Sequence, residues 1–131
     1  MMDIVKMLQE QSDLYTLRGA SDEAIKAAES ELGLQFASDY RQYVAAFGAV
    51  SFKGHELTGV CNSKRLSVVA VTKDERINTD VPSDWYVLEQ ANIDGIVLWQ
   101  TSNGAVYQTA PDVEFRKICS SLTEYIALQY T

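Results

Sequence analysis

The stretch ELGLQFASDYRQYVAAFGAV, Glu31 to Val50, reads as the end of one helix, a short link, a complete second helix and another stop. Gly33 ends the first helix, because glycine adopts the left-handed conformation that a helix C-terminus often requires. Leu34 and Phe36 are apolar anchors in the tight link, and Ser38 or Asp39 is the expected cap of the next helix. Tyr40, Tyr43, Val44 and Phe47 then fall at i, i+3, i+4 and i+7, the spacing of a face turned inward. Gly48 closes the element. The passage carries no evident reactive group, and its apolar faces need cover from the rest of the chain.

Upstream, Met1, Ile4, Val5 and Leu8 recur on one face of a short first helix that gives out before Gly19. Ser21 caps the next helix, with Asp22 and Glu23 at the positive end of its dipole and Ile25, Ala28 and Leu32 as its buried stripe. Downstream, Ser67 to Val71 is a β-rich run, as are Trp85 to Glu89, Ile96 to Thr101 and Ala105 to Thr109. Asp94-Gly95 and Asn103-Gly104 fall between successive runs; two-residue hairpin turns favour such dipeptides because they tolerate positive φ. An antiparallel meander is expected. Ser121 and Glu124 make a capping box for a last helix, with Leu122, Tyr125 and Ile126 facing inward. There is no internal repeat, low-complexity tract or linker. Residues 1–131 are therefore expected to form a single α+β domain, a central antiparallel β-sheet flanked by N-terminal helices and a C-terminal helix.

A chain of 131 residues, 47% hydrophobic and 22% charged, has the composition of a soluble globular domain. At that length it buries enough surface to need neither metal nor disulfide. No apolar run approaches the roughly 20 residues that span a bilayer. The opening MMDIVKMLQEQSD shows no basic leader followed by an apolar core. Cys61 and Cys119 stand far apart and in no metal-ligand spacing, so both are expected to be reduced, small hydrophobes of a cytoplasmic protein. Eleven Lys and Arg against eighteen Asp and Glu give a net charge of −7. That balance argues against nucleic acid and anionic membranes as partners and leaves room for a basic protein.

The only histidine is His55, in FKGHELTG. It has no evident catalytic partner, Cys61 is too near in sequence to be taken as the other half of a dyad, and an exposed loop residue is expected. The nucleotide-binding, zinc-hydrolase and serine-hydrolase motifs are absent, so no cofactor, no metal and no enzymatic activity are expected. Charge placement is more informative. From Asp74 to Asp94 the acids Asp74, Glu75, Asp80, Asp84, Glu89 and Asp94 face Arg76 alone. From Lys53 to Lys73 the bases Lys53, Lys64, Arg65 and Lys73 face only Glu56, and Gly95 to Pro111 is uncharged. Such blocks are ordinarily solvated loops beside central strands. The alternative is an acidic interaction surface that speeds capture of a basic partner, with those acids as its contact residues. Trp85, Tyr86, Trp99 and Tyr107 are either core or, on an open sheet face, interface anchors.

Ser21-Asp-Glu-Ala-Ile25, Glu29-x-Glu31-Leu32-Gly33-Leu34, Asp39-Tyr40 and the apolar helix ending in Phe47-Gly48 resemble the N-terminal signature of the SUKH superfamily, which includes the Smi/Knr-type proteins. Asn103-Gly104-x-Val106-Tyr107 and the final Ser121-Leu-x-Glu-Tyr-Ile126 helix are similar to its C-terminal half, so the resemblance covers nearly the whole chain. The sequence departs from the pattern where Ala37-Ser38 replaces the turn proline and where Phe47 precedes Gly48 in place of the common Asn. The resemblance implies a bacterial immunity protein that binds a cognate basic toxin domain, often a nuclease, and blocks it stoichiometrically. The Glu31–Val50 passage would then be scaffold, and loops and sheet face would read the partner. A regulatory scaffold for a cellular protein, as in the yeast relatives, and a small-ligand binder or enzyme using His55 are the alternatives.

Overall fold

The computed structural model describes residues 3–128, so Met1 of the first apolar stripe lies outside the described residues. Helix α1 (Ile4–Gln9) starts where Asp3 accepts a hydrogen bond from the Lys6 amide at 2.8 Å, and it buries Ile4 and Leu8. Helix α2 (Asp22–Leu32) is capped as expected, with Ser21 Oγ accepting from the Ala24 amide at 3.1 Å and Gly33 ending it at φ 68°. Helix α3 (Ser38–Phe47) buries the expected Tyr40, Tyr43, Val44 and Phe47, but neither Ser38 nor Asp39 caps it; the N-cap is Ala37, which makes no side-chain bond. Asp39 reaches elsewhere. Its Oδ2 accepts from the Leu122 amide at 2.7 Å, at the start of helix α5 (Leu122–Leu128), and its Oδ1 accepts from Gln100 Nε2 at 3.0 Å. One carboxylate thus joins three distant parts of the chain, a role that local capping rules do not reveal.

Ser67 to Val71 is not a strand. Ser67 Oγ accepts from the Ala70 amide at 3.3 Å and opens helix α4 (Val68–Asn78). Branching at Cβ lowers helix propensity by less than about 1 kcal/mol per residue. Here Val68, Val71 and Thr72 fall at i, i+3 and i+4 and are buried together, which outweighs that local preference.

The strands form two antiparallel sheets instead of one central sheet. The smaller joins β1 (Tyr15–Thr16), β2 (Val50–Phe52) and β3 (His55–Glu56). The larger is the expected meander, with β4 (Tyr86–Gln90), β5 (Val97–Gln100), β6 (Val106–Ala110) and β7 (Val113–Cys119) in sequence order. Asp94 and Gly95 take φ of 54° and 69°, and the Ile96 amide donates to Ile93 O at 3.0 Å, so the expected turn forms inside a longer link. Asn103-Gly104 also turns a longer link, with the Gly104 amide donating to Thr101 O at 2.9 Å. The strand β7 alternates apolar and polar residues from Val113 to Arg116, Lys117 breaks the pattern, and its register slips twice against β6. It is an edge strand, and such charges and irregularities discourage pairing with another chain.

The inner face of the larger sheet presents Tyr86, Leu88, Leu98 and Val106 to a helical core that includes Ile4, Leu8, Ile25, Tyr40, Tyr43 and Leu122. The tyrosines of α3 also carry polar bonds. Tyr43 Oη donates to Thr58 O at 2.7 Å and accepts from the Val50 amide at 3.2 Å. Tyr40 Oη lies 2.9 Å from Thr58 Oγ1, which in turn donates to Val87 O at 2.7 Å. Tyr86 Oη accepts from the Ala37 amide at 2.9 Å and donates to Gln100 Oε1 at 2.7 Å. Burial pushes all three phenols above their ordinary range. A buried hydroxyl is tolerated only when hydrogen-bonded, so these bonds fix how α3 meets the strands.

Candidate interaction surface

Of the acids singled out in the sequence, Asp74 projects from α4, Asp80 and Asp84 from the link after it, and Asp94 from the turn between β4 and β5; all of these are exposed. Glu75 is half-buried, and its Oε2 accepts from Gln90 Nε2 at 2.6 Å. Arg76 keeps the link close to the helix: its Nη2 donates to Ser83 O at 2.8 Å and to Trp85 O at 3.2 Å. The acids are not one cluster. Asp84 precedes β4 and Asp94 follows it, so they are separated by a strand of 5 residues, roughly 17 Å long. Among the bases, Lys73 Nζ donates to Glu31 Oε2 at 2.9 Å, and Arg65 is paired with Glu56.

Glu89 is not on this surface. A register slip between Val87 and Glu89 turns its side chain inward, opposite Leu98, where the residue is 4% exposed. Strict alternation would have placed it with Val87 on the outer face. Glu89 Oε1 accepts from the Tyr125 hydroxyl, and Glu89 Oε2 lies 2.8 Å from His55 Nδ1. His55 is accordingly not an exposed loop residue. It belongs to β3, with 27% of its side chain exposed and its ring 5.6 Å from that of Phe52. A carboxylate only accepts, so this bond assigns the ring proton to Nδ1. Burial, and after it the neighbouring Glu89 charge, pushes the Tyr125 phenol above its ordinary range. An imidazole oriented by a carboxylate is half of a catalytic relay, but Cys61 is not the other half: its Sγ is turned to Ser63 O at 3.9 Å.

Among the described residues no group of His, Cys, Asp and Glu stands where it could hold a metal ion, and no helix is long and apolar enough to cross a membrane. A groove of about 1330 Å³ lies between α2 and α4, lined by small residues such as Ala24, Ala27 and Gly59 and not by His55.

The aromatic residues divide clearly. Trp85, Tyr86 and Trp99 are buried, and Trp99 Nε1 donates to Thr109 Oγ1 at 2.9 Å. Tyr107 is half-buried and stacks on Trp85 at 4.4 Å between ring centroids. Phe115 is 49% exposed and meets Trp85 edge-on at 4.9 Å. Sequence reasoning passed over Phe115 and the exposed acids Asp112 and Glu114, which lie beyond the acidic block in or beside a strand whose alternation runs only from Val113 to Arg116. The signal that finds them is the absence of any Lys or Arg between Arg76 and Arg116.

A family model, SUKH_5, described as SMI1-KNR4 cell-wall, matches residues 1–128. The chain belongs to the SUKH family. No curated protein matches it. SUKH proteins are generally non-catalytic, which fits a structural role for Glu89. In this SUKH protein the departure at Ala37 has a use, because its amide donates to Tyr86 Oη and a proline there would have no donor. Glu89→Ala is expected to lower stability by about 2–3 kcal/mol, since it leaves the Tyr125 hydroxyl without an acceptor and His55 without its carboxylate. Glu89→Gln keeps an acceptor for Tyr125 and should recover at least half of the loss. Urea unfolding of both variants checks this; equal losses would mean that the charge, not the hydrogen bonds, holds β3, β4 and α5 together.

Proposed function

We propose that this SUKH protein is an immunity-type binding protein that captures a cognate basic toxin, most simply a nuclease, and neutralises it by equimolar inhibition. The supporting observation is the base-free stretch between Arg76 and Arg116, in which Asp80, Asp84, Asp94, Asp112 and Glu114 are all exposed and Tyr107 and Phe115 form a partly exposed aromatic surface. A toxin that cleaves nucleic acid must offer Lys and Arg to phosphates, and an acidic surface competes for those same groups. Complementary charge also speeds encounter, and fast capture suits an inhibitor that must act before damage accumulates. The family contributes the non-catalytic scaffold.

The test is affinity capture from the protein's own cells with elution by salt, followed by expression of the captured protein alone and together with this chain. A basic protein that is toxic alone, harmless with an equimolar amount of the chain and released by salt is the expected result. Reversals such as Asp80→Lys or Asp84→Lys should weaken protection, by about 2–5 kcal/mol in binding where the charge pair is buried. Intact protection across reversals of every exposed acid would sink the electrostatic mechanism. A captured partner that is neither basic nor toxic would replace this reading with that of a regulatory scaffold.

A further inference from the structure

The outer face of the larger sheet is covered unequally. Helix α4 packs on β4, where Val71 joins Trp85, Val87, Val97 and Trp99 in a second apolar cluster. The half formed by β6 and β7 presents Tyr107 and Phe115 instead. Their rings meet edge-on at 5.8 Å, and both rest on Trp85, which is itself only 4% exposed. The result is a continuous aromatic surface with a buried floor and an exposed outer ring. Asp84 precedes Trp85 at one end of the sheet, and Asp112 and Glu114 flank the start of β7 at the other, where the Asp94-Gly95 turn meets Pro111; all three are exposed, so the rings lie between acids at the two ends. Arg76 points its guanidinium at backbone carbonyls of the link; Arg116 follows Phe115 and pairs across the strands with Gln108, and Lys117 pairs with Tyr107 itself.

We propose that this half-face is the docking surface for the basic partner, which lays an Arg or Lys side chain on the Phe115 and Tyr107 rings while neighbouring cations meet Asp84 and Glu114. The proposal rests on the binding-protein reading above. An aromatic face attracts a cation through its negative quadrupole, and a carboxylate at its margin adds a directed, charge-assisted hydrogen bond. Docking is through side chains on the face and not by strand addition, because the register slips and charges of β7 spoil its open edge.

The experiment is an NMR titration of the isotope-labelled full chain with an oligo-arginine peptide at low and high salt, with an oligo-glutamate peptide as control. Shifts concentrated at Asp84, Trp85, Tyr107, Glu114 and Phe115 and abolished by salt are expected. Phe115→Ala, and separately Asp84→Asn with Glu114→Gln, should each weaken binding about tenfold, within the range of an exposed to partly desolvated cation contact. Lys117→Ala should tighten it about twofold, an effect opposite to that of general damage. Shifts centred on the acids of α2, equal binding of the glutamate peptide, or self-association that depends on Phe115 would each overturn the proposal, the last by naming a second copy as the occupant. If the peptide maps elsewhere but the captured toxin is still neutralised, the surface is wrong and the function stands. If it maps here but the captured partner is harmless, the surface stands and the immunity reading fails.

Discussion

Gly59→Ala is expected to abolish cooperative folding. A Cβ at position 59 would lie 1.7 Å from Gly48 O, 2.7 Å from Gly48 C and 2.9 Å from Ala49 Cα. These are backbone atoms, which cannot rotate aside as a side chain can. Neither segment is free to retreat. The Gly48 amide donates to Val44 O at 2.8 Å, and Gly48 O accepts from the Val60 amide at 3.0 Å. On the other side, the Gly59 amide donates to Leu66 O at 2.7 Å, Gly59 O accepts from the Val68 amide at 2.8 Å, and the Thr58 amide donates to Leu88 O at 2.8 Å. Overpacking among movable side chains typically costs about 1–3 kcal/mol. A backbone clash should exceed about 4 kcal/mol, a large share of the roughly 5–15 kcal/mol that stabilises a domain. Gly33→Ala is the control: nothing lies within 4 Å of its added methyl, so only the left-handed φ of 68° is penalised, at about 1–2 kcal/mol. Urea unfolding decides the matter. A sigmoidal transition for Gly59→Ala close to that of the parent would show that the two segments can separate.

Raising the pH above about 10 is expected to unfold the protein steeply. Tyr40, Tyr43, Tyr86 and Tyr125 are all buried, and for each of them burial is the largest cause raising the phenol pKa above the ordinary value. Below pH ~10 the folded and unfolded chains both hold these protons, so the tyrosines leave stability unchanged. Above that pH the unfolded chain releases them while the folded chain keeps them, and each group then removes about 1.4 kcal/mol of stability per pH unit. Together they give a slope of roughly 5 kcal/mol per unit, enough to exhaust a typical domain's stability within about one to three units. Ionisation of these phenols should therefore coincide with loss of circular dichroism. Tyr43→Phe should make the slope shallower by about a quarter. A stability that stays flat between about pH 10 and 12 would contradict the burial of these hydroxyls.

The Glu31–Val50 passage was legible because its decisive signals are local: Gly33 and Gly48 stop helices by backbone conformation, and the Tyr40 to Phe47 stripe follows helical spacing. The hairpin dipeptides were legible in part for the same reason: Asp94, Gly95 and Gly104 take positive φ, but Asn103 does not, and both turns sit in links longer than two residues. Misreadings occur where distant partners decide. The Ser67–Val71 run has strand propensity, but a serine cap and one buried face make it a helix. Glu89 looks like a surface acid until a register slip turns it to His55 and Tyr125. Composition revealed that the surface would be acidic. It could not reveal that β4 holds Asp84 and Asp94 apart, or that Phe115 of β7 meets Trp85, the neighbour of Asp84, because both depend on how strands are laid side by side.

The reach of Asp39 carries a consequence for synthesis. Its carboxylate fastens the start of α5, 83 positions further along the chain, and the same group steadies Gln100 on β5. While a ribosome has delivered only the first half, the α3 aromatics lack the larger sheet that completes their cover, and non-local contacts of this kind are the slow ones to form. The core can be completed only after residue 122 has emerged from the exit tunnel. A chain cut off before α5 would therefore keep Asp39 without its Leu122 partner, and any surface that depends on the completed core forms only once that last helix has docked.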